Sequence, residues 1–248
     1  MTGPRLAFSW LTVLPVGGPS TVDRGTGARA IAWVPVVGAV LGAVAAGLAW
    51  LLGAAGLDPL LVGFGVVAAL ALSTRGMHVD GLADTFDGLG CYGPPERARD
   101  VMKSGGCGPF GVAAIVISVG VQAVSFGVLV SADAWLALAV AVAAGRVAVV
   151  LACRRGVAAA DDTGFGALVA GTQPIGVGAA WSAVVIAVSV WSTDSVWQGP
   201  LVVLLGLVAS LAVAQHCIRR FGGLSGDVLG ATIEIAVSVT AAGLTAGI

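Results

Sequence analysis

Asp80, Asp84 and Asp87 crowd into the stretch MHVDGLADTFDG, Met77 to Gly88, of a chain in which only 10% of the residues are charged. On a helix these positions are i, i+4 and i+7, so the three carboxylates share one face within an arc of about 60°, with roughly 4.5–6 Å between successive groups along the axis. Like charges this close raise one another's pKa unless a cation stands among them. Turned towards lipid, each would cost about 2.5–3.5 kcal/mol on the insertion scale. A lipid-facing segment is thereby excluded, and a hydrated cavity holding a cation is not. An all-oxygen donor set selects a hard cation, and Mg²⁺ commonly takes a few carboxylates together with substrate phosphates. A plain solvated helix would mix in Lys, Glu and Gln, whereas this one sets only Asp among small and apolar residues. His78 would point almost the opposite way from Asp80 and belongs at the helix start or in the turn before it.

A second polar stretch, RRFGGLSGDVLGATIE from Arg219 to Glu234, joins two arginines, a glycine-rich turn and Asp227. Gly222 and Gly223 ahead of a helix leave backbone N–H groups open to an anion, and Arg219 and Arg220 add charged donors. Stop-transfer arginines with a flexible turn would leave the same signature; the acidic cluster raises diphosphate binding beside it. Glu234 and Arg146 lie inside apolar runs at similar depth, which predicts a buried ion pair between them. If the two stand more than about 6 Å apart, Glu234 is instead a metal or substrate ligand. MKSGGCGPFG, Met102 to Gly111, is a third glycine-rich turn, in which Lys103 could face a phosphate or a plain connection could suffice. Arg75 and the Arg154–Arg155 pair read as orientation determinants, and His216 as interfacial.

The elements that must position these residues are apolar. Hydrophobic residues make up 58% of the 248 and mean hydropathy is +1.01, so the chain reads as an all-α polytopic membrane bundle. Seven spans are expected, at about 30–53, 59–75, 109–131, 134–152, 176–192, 199–217 and 228–247, a neighbouring pair of which could be re-entrant. The 38 glycines suit helices that pack closely in lipid. Arg5, Arg24 and Arg29 precede the first span. Arg75, Arg97, Arg99 and Lys103, then Arg154 and Arg155, then Arg219 and Arg220, occupy every second loop. The intervening loops carry no Lys or Arg, so the positive-inside rule sets the N-terminus and the polar loops in the cytoplasm. Trp50, Trp135, Trp191 and Trp197 mark the opposite ends of the spans. Leu6 to Val16 is too short to cross and is expected as an interfacial or re-entrant helix. Cys91, Cys107, Cys153 and Cys217 form no CxxC pair and read as reduced, small apolar residues.

GMHVDGLADTFDGLG and FGGLSGDVLGATIE resemble the cobalamin-5′-phosphate synthase, or adenosylcobinamide-GDP ribazoletransferase, family. FSWLTVLPV, RAIAWVPVVGAVLGA, GRVAVVLACRR and GFGALVAGTQ extend the likeness through most of the chain. The resemblance implies a Mg²⁺-dependent, multi-pass enzyme of the bacterial inner membrane with its active site facing the cytoplasm. It would join adenosylcobinamide-GDP to α-ribazole or its 5′-phosphate and release GMP. The family's acidic motif falls on His78, Asp80, Asp84 and Asp87, and its second motif on Gly222, Gly223, Gly226, Asp227 and Glu234. Ser104 and Gly106 stand where relatives often have an acidic residue and an arginine, and Ser225 where threonine is usual.

On that basis Asp80, Asp84, Asp87, Asp227 and Glu234 are candidate metal ligands. Asp84, Asp87, Asp227 and His78 are candidate catalytic groups, with Asp87 favoured over Asp227 as base. Arg219, Arg220, Lys103, Gly222, Gly223 and Arg146 are candidate substrate-binding residues. One membrane domain, 1–248, is expected, with 1–29 an interfacial arm and 76–108 and 218–234 the catalytic segments. Partners are the two substrates and membrane lipid, without nucleic acid, homo-oligomerisation being left open. Two other readings stand beside this one. DTFDG begins like a CDP-alcohol phosphotransferase motif, but LGCYGPP follows where that family needs an Ala-Arg. A cation transporter would set its acids near mid-bilayer in broken helices, not at one end.

Overall fold

A computed structural model describes residues 2–18 and 21–248 of the chain, which leaves three positions of the N-terminal arm outside it. In order the helices are α1 (Thr2–Leu11), α2 (Arg24–Ala54), α3 (Pro59–Ser73), α4 (Met77–Gly90), α5 (Pro95–Met102) and α6 (Pro109–Ser131). They continue with α7 (Trp135–Ala152), α8 (Gly164–Val169), α9 (Ile175–Ser189), α10 (Gln198–Phe221) and α11 (Gly226–Leu244). Among the described residues there is no strand, only two isolated bridges.

Helix starts follow local chemistry. Asp23 accepts the Thr26 N–H at 2.7 Å to open α2, and Asp58 accepts the Leu60 N–H at 2.9 Å to open α3, with Pro59 preset for the first turn. Ser225 caps α11 through the Val228 N–H at 3.3 Å. Each of the seven apolar runs forms a helix. Five of these (α2, α6, α7, α10 and α11) are long and apolar enough to cross a membrane, so the protein is a multi-pass membrane bundle. The two others are shorter. α3 and α9 have 15 residues each, about 22 Å at the helical rise, against a hydrocarbon core of about 30 Å.

α3 and α4 pass as one further span only if they are taken together, and they meet at 91°. The corner is made by Arg75 and Gly76, both left-handed at φ 57° and 69°. Arg75 is held there because its guanidinium donates to Ser9 O at 3.0 Å and Thr12 O at 3.2 Å, at the end of α1. The acidic α4 is thereby swung off the end of the α3 span, against α6 and α11.

α7 is the hub, with 72% of its apolar stretch buried, more than any other candidate span. It packs on α2, α9, α10 and α11. Large side chains such as Leu61, Leu72, Val116, Ile117 and Leu205 stay exposed on the outside, as lipid-facing positions do. Where helices touch closely, a glycine stands at the contact. A Cβ on Gly63 of α3 would run into the backbone carbonyl of Ala123 in α6. Gly63→Val should therefore destabilise the protein by about 1–3 kcal/mol, read as a lower melting temperature in detergent. Gly47→Val, at a site with no neighbour within 4 Å, should leave it unchanged.

Candidate active site

α4 presents its residues to three neighbours at once. Asp80 is exposed, Asp84 half-buried, and His78 and Asp87 buried. α11 comes so close that a Cβ on Gly81 would stand 2.8 Å from Asp227 O, and one on Gly230 3.1 Å from His78 O. That backbone contact sets Asp227 beside Asp80 and Asp84. Burial first, and then the charges of Asp80, Asp227 and Asp87, push the Asp84 carboxyl up to about 6. Asp227 is also touched by the Ser225 hydroxyl at 3.3 Å.

Two cavities flank Asp80. One, of about 820 Å³, is lined by Arg75, Asp80, Asp84 and residues 105–107, with an apolar wall that includes Phe64 and Val67. The other, of about 320 Å³, is lined by His78, Asp80, Asp227, Trp10 and Phe165. Asp80 alone belongs to both walls. Among the described residues no three His, Cys, Asp or Glu side chains close into a ready-made metal cage. An open set of carboxylate oxygens suits Mg²⁺, which keeps several waters and takes one or two carboxylates plus substrate phosphates.

The other sequence candidates are placed differently. Asp87 accepts the Gly108 N–H at 2.6 Å and the Gly111 N–H at 2.8 Å, so both of its oxygens cap the start of α6. The expected Arg146–Glu234 ion pair does not form within 4.0 Å. α7 meets α11 at Gly145, against Val237 and Ile233, which turns Arg146 and Glu234 to different neighbours. Arg146 reaches Val142 O at 3.3 Å and His78 Nδ1 at 3.5 Å. Glu234 accepts the Gln122 amide at 2.7 Å, in a cluster with Ser118 and Ser238.

Arg219 is exposed, and Arg220 donates to Cys91 O at 2.6 Å, tying α10 to the end of α4. Gly222 ends α10 in the left-handed region at φ 82°, and Gly223 packs on the backbone of Ala159. The next N–H, of Leu224, goes to Ala158 O at 2.9 Å, which removes it from any anion nest. Lys103 pairs with Asp161 at 2.8 Å.

Sequence reasoning passed over four residues that line or brace this region. Arg75, set aside as an orientation determinant, faces the larger cavity, and Asp161 holds Lys103 and Arg99. The acidic pair Asp161–Asp162 in an otherwise basic loop was a signal for that contact. Trp10 and Phe165, edge to face at 4.9 Å, gave none, since they come from remote segments. Burial, and secondarily the Arg146 charge, hold His78 well below its usual value, so the imidazole is neutral.

Fold and site together define a polytopic helical membrane protein with an acidic, two-cavity centre at one end of its bundle. Residues 3–245 match the cobalamin-5-phosphate synthase family, and the chain belongs to it. It is 39% identical to the adenosylcobinamide-GDP ribazoletransferase of Corynebacterium efficiens, over 96% of this chain and 89% of that one. The protein of the same name from Nocardioides sp. is 39% identical over 95% of each chain, and that from Bradyrhizobium diazoefficiens 34% identical over 98% and 94%. No solved structure matches the chain significantly.

The capping geometry of Asp87 has a measurable consequence. Asp87→Ala should lose about 0.5–2 kcal/mol of stability and speed proteolysis in the 103–108 loop. Asp84→Ala, which removes a carboxylate from a crowd of like charges, should not lower the melting temperature.

Proposed function

We propose that this protein is an adenosylcobinamide-GDP ribazoletransferase, joining adenosylcobinamide-GDP to α-ribazole or its 5′-phosphate and releasing GMP. The observation that carries this reading, beside family membership, is that one carboxylate, Asp80, fronts two cavities of unequal size. A transfer between two substrates needs both held against a common centre.

The open cavity of about 820 Å³ admits the diphosphate end of the larger substrate while the corrinoid stays outside. Asp80 and Asp84 would hold Mg²⁺, which would supply neutralisation of the diphosphate charge. Arg75 in the cavity wall, and Lys103 nearby, add fixed positive charge. A ribazole hydroxyl oxygen bonds to the cobinamide-linked phosphorus as the phosphorus–oxygen bond to GMP breaks. Asp227 takes the hydroxyl proton. We assign it that role over Asp87 because both Asp87 oxygens already accept N–H groups. The acids and the basic loops lie at the same end of the bundle, which supports a reaction at the cytoplasmic face of the bacterial inner membrane. That clustering also disfavours a cation transporter.

Purified protein in detergent, given both substrates and Mg²⁺, should release GMP, and chelation should stop it reversibly. Asp84→Asn and Asp227→Asn should each slow release by about 10²-fold or more without lowering the melting temperature. Full GMP release in either variant, or without a divalent ion, would refute these assignments. Topology has its own readout. Cys107 is the exposed cysteine among the four, so a membrane-impermeant maleimide should label it in inside-out vesicles. Labelling of right-side-out vesicles instead would reverse the orientation.

A further inference from the structure

The cavity of about 320 Å³ lies at the small end of the ligand-pocket range of about 300–1,000 Å³, room for one nucleoside and far too little for a corrinoid. Its walls change character with depth. Trp10 and Phe165 stand edge to face with Ile31 and Val149 beside them, and Asp80 and Asp227 mark the polar end. One buried polar side chain in the wall has an atom without a protein partner among the described residues. His78 is 4% exposed, and its Nε2 has no hydrogen-bond partner among the described residues.

The state of that nitrogen follows from its neighbour. Arg146 reaches His78 Nδ1 at 3.5 Å, and a guanidinium can only donate. Nδ1 is therefore the acceptor, and the ring proton sits on Nε2. The contact is long for a hydrogen bond, but the opposite tautomer would set two donors against each other. A buried N–H donor without an acceptor is costly unless a ligand supplies one.

We propose that this cavity is the acceptor subsite, in which a benzimidazole-type riboside lies with its base against the Trp10–Phe165 wall and accepts the His78 Nε2–H through its free ring nitrogen. The assignment rests on the ribazoletransferase reading. A benzimidazole riboside carries one ring acceptor and no ring donor, which matches the buried His78 donor in a largely apolar wall. Guanine carries several donors and acceptors that the same wall would leave unpaired. With the base so placed, the ribose points to Asp80 and Asp227, where the attacking hydroxyl is needed. Arg146 is then a positioning residue, fixing the tautomer of His78 without touching the ligand.

The test is equilibrium binding of α-ribazole to the detergent-solubilised full chain by titration calorimetry, without the corrinoid nucleotide. His78→Leu should weaken binding by about tenfold or more, while His78→Gln, which returns an N–H donor, should stay within about threefold of wild type. In turnover the same His78→Leu change should raise KM for ribazole and leave KM for adenosylcobinamide-GDP within about twofold. The chain has 2 histidines, so ring-¹⁵N NMR, assigned with His216→Asn, reads His78 directly. A protonated Nε2 whose resonance moves with α-ribazole and not with guanosine is expected, and this holds in wild type whether or not His78→Leu folds.

Undiminished ribazole affinity in a folded His78→Leu protein would overturn the assignment, as would competition by guanosine for the same site. GMP release with an unresponsive His78 would sink this inference and leave the function standing. Ribazole binding that depends on His78 without GMP release would do the reverse.

Discussion

Asp80, Asp84 and Asp227 are held together against their own repulsion, and the rest of the site depends on that. What holds them is backbone contact: α4 and α11 approach so closely that Gly81 lies on Asp227 and Gly230 on His78. No protein cation compensates them within ion-pair distance among the described residues. The ion pairs that do occur there join Arg99 to Glu96, Arg99 to Asp161 and Lys103 to Asp161, on α5, the residue after it and the 153–163 segment. Packing energy in the bundle thus sustains an unbalanced negative centre, which a bound cation would relieve. Burial first, and then that imbalance, raise the Asp84 carboxyl.

The bend at Arg75–Gly76 makes such a centre compatible with a membrane protein. Continued straight, α3 would carry Asp80 onwards along the bundle axis. Turned by 91°, α4 lies off the end of the span and meets the mouths of α6 and α11. The left-handed conformation carries a cost at Arg75, though not at Gly76. α1 supplies the brace through the carbonyls of Ser9 and Thr12. The N-terminal helix therefore helps to aim the acids, and Trp10 from the same helix lines the smaller cavity.

Sequence periodicity made the helical bundle and the acidic face legible, because apolar runs and i, i+4, i+7 spacing are properties of one segment. It also brought Asp227 to the acids, since glycine and acidic residues at the start of the last span signal a helix mouth. It did not say which helix meets which face. Asp87 shares the arc of Asp80 and Asp84, yet α6 begins against the last turn of α4 and takes both of its oxygens. Arg146 and Glu234 match in depth, but depth ignores rotation. The close contact at Gly145 sends one to His78 and the other to Gln122. Arg220 and Gly223 looked like an anion site and are used to close the bundle end, because their donors and their lack of a Cβ were needed by neighbours remote in sequence.

Two cavities meeting at Asp80 impose an order of recognition on the proposed transfer. The larger is open and has little to distinguish one bulky ligand from another beyond charge, so it selects for a diphosphate and tolerates whatever hangs outside. The smaller is lined mostly by aromatic and aliphatic side chains around the buried His78 donor, so it would discriminate by the hydrogen-bonding pattern of a flat ring. Shape-based rejection of a slightly different apolar group is worth little, whereas an unpaired buried donor penalises the wrong ring strongly. On the proposed assignment, selectivity for the acceptor resides in His78 and in the arginine behind it. The carboxylates, which see only hydroxyl and phosphate, can serve the chemistry without having to read the base.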